Sequence, residues 1–167
     1  MINNQTCVTL ALGSNLGDRC ANLHHALKEL SAQVTTFKTS GIYETPPWGF
    51  TEQPVFFNQV ISGKTTLDPH ELLTFIKSIE QEMGRIKNFV NGPRLIDIDI
   101  LLFGKQTINT ADLVIPHPRM LDRGFVLLPL AEIEPDLIIP GTIKTVSDYL
   151  EKVDVSGIIK IDSESIK

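Results

Sequence analysis

Residues 92–103 read GPRLIDIDILLF, and they complete the pattern of elements that decides the fold. The apolar and β-branched run over 95–103 predicts a strand that starts directly after Arg94. Upstream, the alternation of Val8, Leu10 and Leu12 predicts a strand over 7–12. A long strand is predicted over 34–45, which is rich in Thr, Val, Phe, Ile and Tyr, and a third over 55–66.

Two helices are predicted between these strands. The first carries apolar residues at helical spacing and follows a turn over residues 13–18, whose Asp18 is placed to cap it. The second begins with Asp68 as N-cap, Pro69 in the first turn and Glu71 closing a capping box, and Gly84 is its predicted stop. The order β-α-β-β-α-β is typical of a ferredoxin-like α+β sandwich. A short strand over 113–115 and helices over 125–133 and 146–153 are predicted as C-terminal additions.

Composition limits the classes of function. The chain has 167 residues and a net charge of -5, and it contains no Lys/Arg run, so we expect a single domain over 1–167 that does not bind nucleic acid. Cys7 and Cys20 lack metal-ligand spacing and are expected to be reduced thiols. No signal-peptide pattern and no apolar run of about 20 residues is present, which favours a cytoplasmic protein without a membrane anchor. We expect a monomer.

The strongest chemical signal is the pair Asp97 and Asp99. Alternate side chains of a strand share a face, so these carboxylates are expected to lie together, with α-carbons roughly 6.6 Å apart. Leu95, Leu101 and Phe103 are predicted on the same face. Two carboxylates on an apolar face repel each other unless a cation joins them, and Mg²⁺ prefers carboxylate and phosphate oxygens. Taken alone, the same pattern is more often a solvated strand face or a pair of caps.

Several cationic side chains surround this strand in the sequence. Arginine matches phosphate oxygens with two-point contacts, so a carboxylate strand flanked by cations is what a triphosphate site requires. Each of these residues taken singly is more often a solvated surface group. The set comprises Arg85, Lys87, Arg94, His117, Arg119 and Arg123.

The segment over 45–57 is the second unusual stretch. Two prolines stiffen it, and Trp48, Phe50, Phe56 and Phe57 concentrate aromatic surface there. A flat heterocycle would stack on such rings, with Asn58 offering a donor and an acceptor to its edge. Ordinary core and loop packing explains the same aromatics equally well.

Together these motifs resemble a known family, the 6-hydroxymethyl-7,8-dihydropterin pyrophosphokinases of folate biosynthesis. The resemblance runs from about residue 9 to residue 140. It rests on the ordered stretches LGSNLGD over 12–18, YETPPWG over 43–49, Phe57-Asn58, GPRLIDIDIL over 92–101, PHPRM over 116–120 and Arg123-Gly124-Phe125.

The resemblance implies a ferredoxin-like fold and the transfer of diphosphate from ATP, with two Mg²⁺ ions, to the pterin hydroxymethyl group. It implies metal binding by Asp97 and Asp99, which with Arg85 and Arg94 form the implied catalytic set. The implied ATP-binding residues are Glu80, Arg85, Lys87, Arg94, Ile100, His117 and Arg123. The implied pterin-binding residues are Thr45, Pro46, Pro47, Trp48, Phe56, Asn58, Asp97 and Phe125.

The resemblance also implies loops that close over ATP, and here the sequence departs from the common pattern. Asn91 stands where many members carry tryptophan, Lys87 where arginine is common, and Phe56 where tyrosine is frequent. The 85–91 segment is about one residue short. These departures bear on closure and nucleotide affinity rather than on the two aspartates.

Two other readings stay open from the sequence. A non-catalytic ferredoxin-like binding domain would share the fold but would have no need for paired aspartates facing cations. A metal-dependent phosphohydrolase would use the same carboxylates to activate water. Related folate enzymes are sometimes fused in one chain, so the sequence is compatible with a free enzyme or with a domain of a fused protein.

Overall fold

A computed structural model describes residues 4–84 and 90–162, which form an α+β fold with a predominantly antiparallel sheet. The strands are β1 (Thr6–Ser14), β2 (Thr35–Thr39), β3 (Tyr43–Thr45), β4 (Phe56–Thr65), β5 (Asp97–Phe103), β6 (Ile108–Asn109), β7 (Val114–Ile115) and β8 (Ile159–Lys160). The helices are α1 (Arg19–Leu30), α2 (Pro69–Glu82), α3 (Gly124–Ile133) and α4 (Val146–Leu150), with a 3-10 turn at Met120–Asp122.

The main sheet has the order β5-β1-β4-β3-β8, and β2 also pairs with β4. Every pairing in it is antiparallel. β1 lies between β4 and β5 and pairs with both along most of its length, which makes it the central strand that aligns the other two.

The capping signals of both predicted helices are confirmed. The Asp18 side chain accepts from the Ala21 N–H at 3.0 Å and begins α1. Asp68 accepts from the His70 and Glu71 N–H groups, and the Glu71 carboxylate accepts from the Asp68 N–H at 2.8 Å, which completes the predicted capping box of α2. Gly84 follows α2 with φ +88°, a conformation that favours glycine.

The sheet separates two apolar cores. Leu10 and Leu12 of β1 pack with Leu23, Ile76 and other apolar residues of α1 and α2 on one face. The second core lies on the opposite face, where Val60 and Leu101 pack with residues of α3 and α4 such as Leu127 and Val146. The site described below opens on this second face, where the sheet extends beyond α3.

The sheet departs from the sequence predictions at three points. The strand predicted over 34–45 is broken into β2 and β3, because the Ser40 hydroxyl accepts from the Val60 N–H at 2.9 Å and so replaces a main-chain ladder contact. The C-terminal strand β8, which pairs with β3, was not predicted. The placement of Phe103 on the face of the two aspartates was wrong.

A β-bulge explains the position of Phe103. Thr9 pairs with Leu102 but Leu10 pairs with Ile100, so Leu101 is an extra residue on β5. Beyond this bulge the alternation is reversed, and Phe103 packs with α1 and α2 while Leu101 packs with α3. Within residues 4–84 and 90–162, no helix is long and apolar enough to cross a membrane.

Candidate active site

Three paired strands form the floor of a cavity of about 400 Å³. Gly13 of β1 pairs with Asn58 of β4 on one side and with Asp97 of β5 on the other, and Ala11 pairs with Asp99. Residues paired in register lie on the same face of a sheet, so Asn58 and both aspartates line one surface. The segments 45–48, 91–94 and 117–126 provide the walls.

The two carboxylates differ in their surroundings. Asp97 Oδ1 lies 2.8 Å from Arg94 Nη1, an ion pair that orients the carboxylate. Asp99 keeps 38% of its side-chain surface accessible, and its nearest ion-pair partner, His117 Nε2 at 4.0 Å, is charged only when the ring is protonated. Burial, and then the negative charge of Asp97, raise the pKa of Asp99 to about 7. The positive charges of Arg123 and Arg94 lower the pKa of Asp99 but do not outweigh burial and the charge of Asp97.

This donor set fits a divalent cation. The floor offers carboxylate oxygens, which Mg²⁺ prefers, and a cation between them would offset the repulsion that raises the Asp99 pKa. Among residues 4–84 and 90–162, no group of three or more His, Cys, Asp or Glu side chains gathers as a metal cage. A metal here would take its other ligands from water or from phosphate, as Mg²⁺ does in nucleotide sites.

His117 is held as a neutral hydrogen-bond donor. Its Nδ1 accepts from the Arg119 N–H at 3.2 Å, so in the neutral ring the proton is on Nε2, which faces Asp99. Burial, and then the positive charge of Arg123, lower the His117 pKa to about 4. The ring can therefore donate to an anion in the cavity near neutral pH.

Arg123 contributes a cation from the start of α3. Its guanidinium lies 5.1 Å from the ring centroid of Trp48 and 5.5 Å from that of Phe125. The Arg123 Nε is buried and has no hydrogen-bond partner among the described residues. Burial lowers the pKa of this guanidinium. Arg123 lines the cavity, where its positive charge would favour an anionic ligand.

The cavity also has surfaces suited to a planar ligand. The rings of Phe56 and Phe125 line it, and Asn58 Nδ2 donates to Thr45 Oγ1 at 2.6 Å. This bond fixes the orientation of the Asn58 amide. A Cβ on residue 13 would come within 2.7 Å of Asn58 Oδ1, so glycine at 13 leaves the space that the amide occupies.

A buried amide joins the loops around the cavity. Asn15 Oδ1 accepts from the Arg94 N–H at 2.7 Å, and Asn15 Nδ2 donates to Gln53 Oε1 at 2.9 Å and to the Pro54 carbonyl at 3.0 Å. Gln53 Nε2 in turn donates to the carbonyl of Asn91 at 2.7 Å. The position of Arg94 is thereby tied to the segment that follows the two prolines.

The cavity brings together eleven of the predicted site residues: Thr45, Pro46, Trp48, Phe56, Asn58, Arg94, Asp97, Asp99, His117, Arg123 and Phe125. Three others do not line it. Pro47 is half-buried beside it, Glu80 is buried and accepts from the Ile98 N–H at 2.9 Å, and Ile100 packs its side chain into the core under α1 and α2. An ATP contact by Ile100 would have to use its main chain. Arg85 and Lys87 lie outside the described residues.

Sequence reasoning missed other residues of the cavity. Gly13 was assigned to a turn, but it belongs to β1. A glycine at this point of the sequence could have signalled a close approach of another group, here Asn58, to the backbone of the strand. Arg119 lines the wall but was counted only as a nearby cation. No sequence pattern pointed to Gln53 as a link between loops.

Comparison with known proteins identifies the fold first. The chain is similar to the crystal structure of Plasmodium falciparum HPPK-DHPS wild type, with a TM-score of 0.73 and 18% identity, over 89% of this chain and 45% of that one. At this identity the likeness concerns the fold alone.

Sequence comparison then gives the family. Residues 9–135 match the family described as 7,8-dihydro-6-hydroxymethylpterin-pyrophosphokinase (HPPK), and the chain belongs to that family. A Methylorubrum extorquens protein named 2-amino-4-hydroxy-6-hydroxymethyldihydropteridine pyrophosphokinase is 44% identical over 155 residues, 92% of this chain and 97% of that protein. Its Bacillus subtilis namesake is 50% identical over 126 residues, 74% of this chain and 75% of that protein.

Some relatives are much longer. The Pneumocystis carinii folic acid synthesis protein fol1 is 44% identical over 147 residues, 87% of this chain, and the Dictyostelium discoideum folic acid synthesis protein FOL1 is 50% identical over 133 residues, 80% of this chain. The chain spans only 20% of the length of each of these two proteins.

Proposed function

We propose that this chain transfers diphosphate from ATP to the hydroxymethyl group of 6-hydroxymethyl-7,8-dihydropterin, giving the pterin diphosphate ester and AMP in tetrahydrofolate biosynthesis. One observation carries the proposal. Paired strands place two carboxylates and an oriented amide on the floor of a single cavity whose walls carry both arginines and aromatic rings. The names of the relatives support the same reaction.

The cationic side chains would hold the triphosphate. Arg94 and Arg123 offer charged hydrogen-bond donors, and His117 offers a neutral one. The phosphate oxygens of ATP would therefore meet three donors in the cavity. Arg94 also fixes Asp97 through the 2.8 Å ion pair, so it acts on both the nucleotide and the metal ligand. Arg85 and Lys87 are proposed to add further contacts on the basis of the family resemblance.

Asp97 and Asp99 are the residues that would hold two Mg²⁺ ions. Bound Mg²⁺ would neutralise phosphate charge and polarise the reacting phosphoryl group. The part of the protein is to keep the two carboxylates side by side, which the register of β5 on β1 does through main-chain hydrogen bonds. Asp97 is the aspartate nearer Asn58, because Asp97 and Asn58 both pair with Gly13, one from each side.

The aromatic rings would hold the pterin. Phe56 and Phe125 provide the flat apolar surfaces that a bicyclic heterocycle stacks on, and the Asn58 amide provides a donor and an acceptor for its edge. The hydroxymethyl group would then point toward the aspartates. Thr45 supports this pocket by accepting the hydrogen bond that orients Asn58.

In the proposed step, the hydroxymethyl oxygen attacks the β-phosphorus of ATP and forms the new P–O bond. The bond between that phosphorus and the oxygen bridging to the α-phosphate breaks, AMP leaves with the electron pair, and the hydroxyl proton is released. Little covalent work falls to the protein in such a transfer, so alignment of the two substrates and stabilisation of charge supply the catalysis.

We also propose the fold class, domain organisation, oligomeric state, location and association of this chain. The core is ferredoxin-like, which the sheet order β5-β1-β4-β3 with helices after β1 and β4 supports. The chain is a single pyrophosphokinase domain, it acts as a monomer, and it works in the cytoplasm. Association with other folate enzymes is suggested by the name of an Arabidopsis thaliana relative, a mitochondrial folate synthesis bifunctional protein that is 44% identical over 75% of this chain.

The decisive experiment follows AMP with purified protein, ATP, Mg²⁺ and the pterin. AMP should appear only when the pterin is present and should disappear with EDTA. Asp97→Ala should abolish turnover with an unchanged circular dichroism spectrum, whereas the control Asp136→Ala, at an exposed position outside the cavity, should not. Phosphate released without pterin would establish hydrolysis instead, and normal activity of Asp97→Ala would refute the metal site.

A further inference from the structure

Trp48 is contacted by two arginines from another part of the chain. It is the single tryptophan of the sequence, and 49% of its surface is exposed. The guanidinium of Arg123 lies 5.1 Å from its ring centroid and that of Arg119 lies 5.7 Å away, both within the roughly 6 Å range of a cation–π contact. The segment after the two prolines is therefore attached to the 119–123 segment through one indole ring.

The two guanidiniums share this ring although they repel each other. The charge of Arg119 is one of the causes that lower the pKa of Arg123, after burial and against the aspartates. Within residues 4–84 and 90–162, neither guanidinium takes part in an ion pair. Both arginines line the cavity wall next to Asp99 and His117. An anion placed between them would relieve their repulsion while both remained on the indole ring.

We propose that Arg119 is a positioning residue. Through Trp48, it couples the binding of an anion at Arg123 to the position of the loop formed by residues 46–50. Phosphate bound at Arg123 lowers the repulsion between the two arginines, so both guanidiniums stay on the ring and the loop stays against the aromatic rings of the cavity. Binding of the nucleotide thereby raises the affinity for the pterin, and by thermodynamic reciprocity the pterin raises the affinity for the nucleotide. This coupling rests on the proposed function, but the attachment of Trp48 does not.

The chain provides a matched control for Arg119. Lys144 lies 5.8 Å from the ring centroid of Tyr149, a cation–π contact of similar length away from the cavity. Arg119→Gln and Lys144→Gln each remove one positive charge and one cation–π contact. Arg119→Lys keeps the charge but loses the planar group that stacks on the ring. Arg119 is exposed, so these variants are expected to fold.

The first measurement uses the free protein, without metal or nucleotide. Because Trp48 is the single tryptophan, its emission and its quenching by acrylamide report on this loop alone. We expect quenching to increase in Arg119→Gln, to increase less in Arg119→Lys and to match the wild type in Lys144→Gln. Equal quenching in all four proteins would overturn the attachment of Trp48 by Arg119.

The second measurement determines pterin affinity by calorimetry, with and without a non-hydrolysable ATP analogue and Mg²⁺. The ratio of the two dissociation constants is the coupling factor, and Arg119→Gln should reduce it by about two- to fivefold, the effect of one exposed cation–π contact. An unchanged factor in Arg119→Gln would overturn the coupling. If the wild type binds neither ligand, the proposed function fails, while the quenching result still decides whether Arg119 holds Trp48.

Discussion

Replacing Gly13 with alanine is expected to weaken pterin binding while the fold is retained. Gly13 lies within β1, between Asn58 and Asp97 on the cavity floor. A Cβ at this position would lie 2.7 Å from Asn58 Oδ1, far inside the roughly 3.5–4.0 Å at which two non-bonded carbon atoms pack. The short Asn58 side chain must therefore rotate away.

The magnitude follows from what that rotation breaks. The Asn58 amide loses its 2.6 Å hydrogen bond to Thr45 Oγ1 and its orientation toward the ligand. One hydrogen bond between the Asn58 amide and the pterin would contribute about 0.5–1.5 kcal/mol, and its loss corresponds to a roughly 2- to 12-fold rise in the dissociation constant of the pterin. Stability should change less, because alanine also reduces the entropy of the unfolded chain relative to glycine.

A double-mutant cycle measured by calorimetric titration of the pterin separates this cause from a general disturbance of β1. Asn58→Ala removes the side chain that the new methyl group would meet. In that background, Gly13→Ala should change pterin affinity by less than about twofold, because the source of the clash is absent. Wild-type pterin affinity in the single variant, or an equal loss in both backgrounds, would refute the reasoning.

Three further results are expected. Arg94→Ala should lower kcat more than it weakens pterin binding, because its guanidinium holds Asp97, and a selective loss of pterin affinity in steady-state and calorimetric data would contradict this role. The wild type should lose more stability than His117→Gln as pH falls from 6.5 to about 4, measured by urea unfolding in EDTA, because the unfolded histidine is protonated there and the buried one is not. Parallel stability curves of the two proteins would contradict the lowered His117 pKa. Asp68→Ala should lower the free energy of unfolding by about 0.5–2 kcal/mol through loss of the α2 cap, with AMP turnover retained below the melting transition, and an unchanged urea midpoint would argue against the capping contribution.

Elements governed by local contacts could be predicted from the sequence. The start of α2 depends on Asp68, Pro69 and Glu71, which lie within four residues of one another, so the sequence contains the whole capping box. The break at Ser40 could not be seen in the same way. It depends on a hydroxyl contact with Val60, twenty residues away, in a segment whose composition favours a continuous strand.

The bulge in β5 shows a second limit. Alternation along 97–103 predicts one face for every second residue, and it holds until the extra residue Leu101 reverses it. The position of the extra residue is determined by how β5 pairs with β1, so it cannot be predicted from the sequence of β5 alone. The aspartates precede the bulge, so their common face could be predicted, whereas the position of Phe103 could not.

In the candidate site, too, the residue types could be predicted from the sequence, but the contacts that position them could not. The carboxylates, the arginines near them and Asn58 have side chains whose chemistry is visible in the sequence. The contacts that hold them appear only in the folded chain. The Asn15 amide, for example, bonds to Gln53, which is 38 positions away in the sequence, and to Arg94, which is 79 positions away. The roles of all the predicted site residues toward ATP, the pterin and the metal stay predictions.

The Asn15 amide has a consequence for attempts to change the acceptor. Its side chain is bonded at once to the strand entry at Arg94 and to residues 53–54 at the end of the proline segment. A library that varies this segment freely would disturb the phosphate end together with the acceptor end, and most members would be inactive for a reason unrelated to ligand fit. Keeping Trp48, Gln53 and Pro54 fixed while varying the other residues of 46–50 would change the acceptor end without breaking these links.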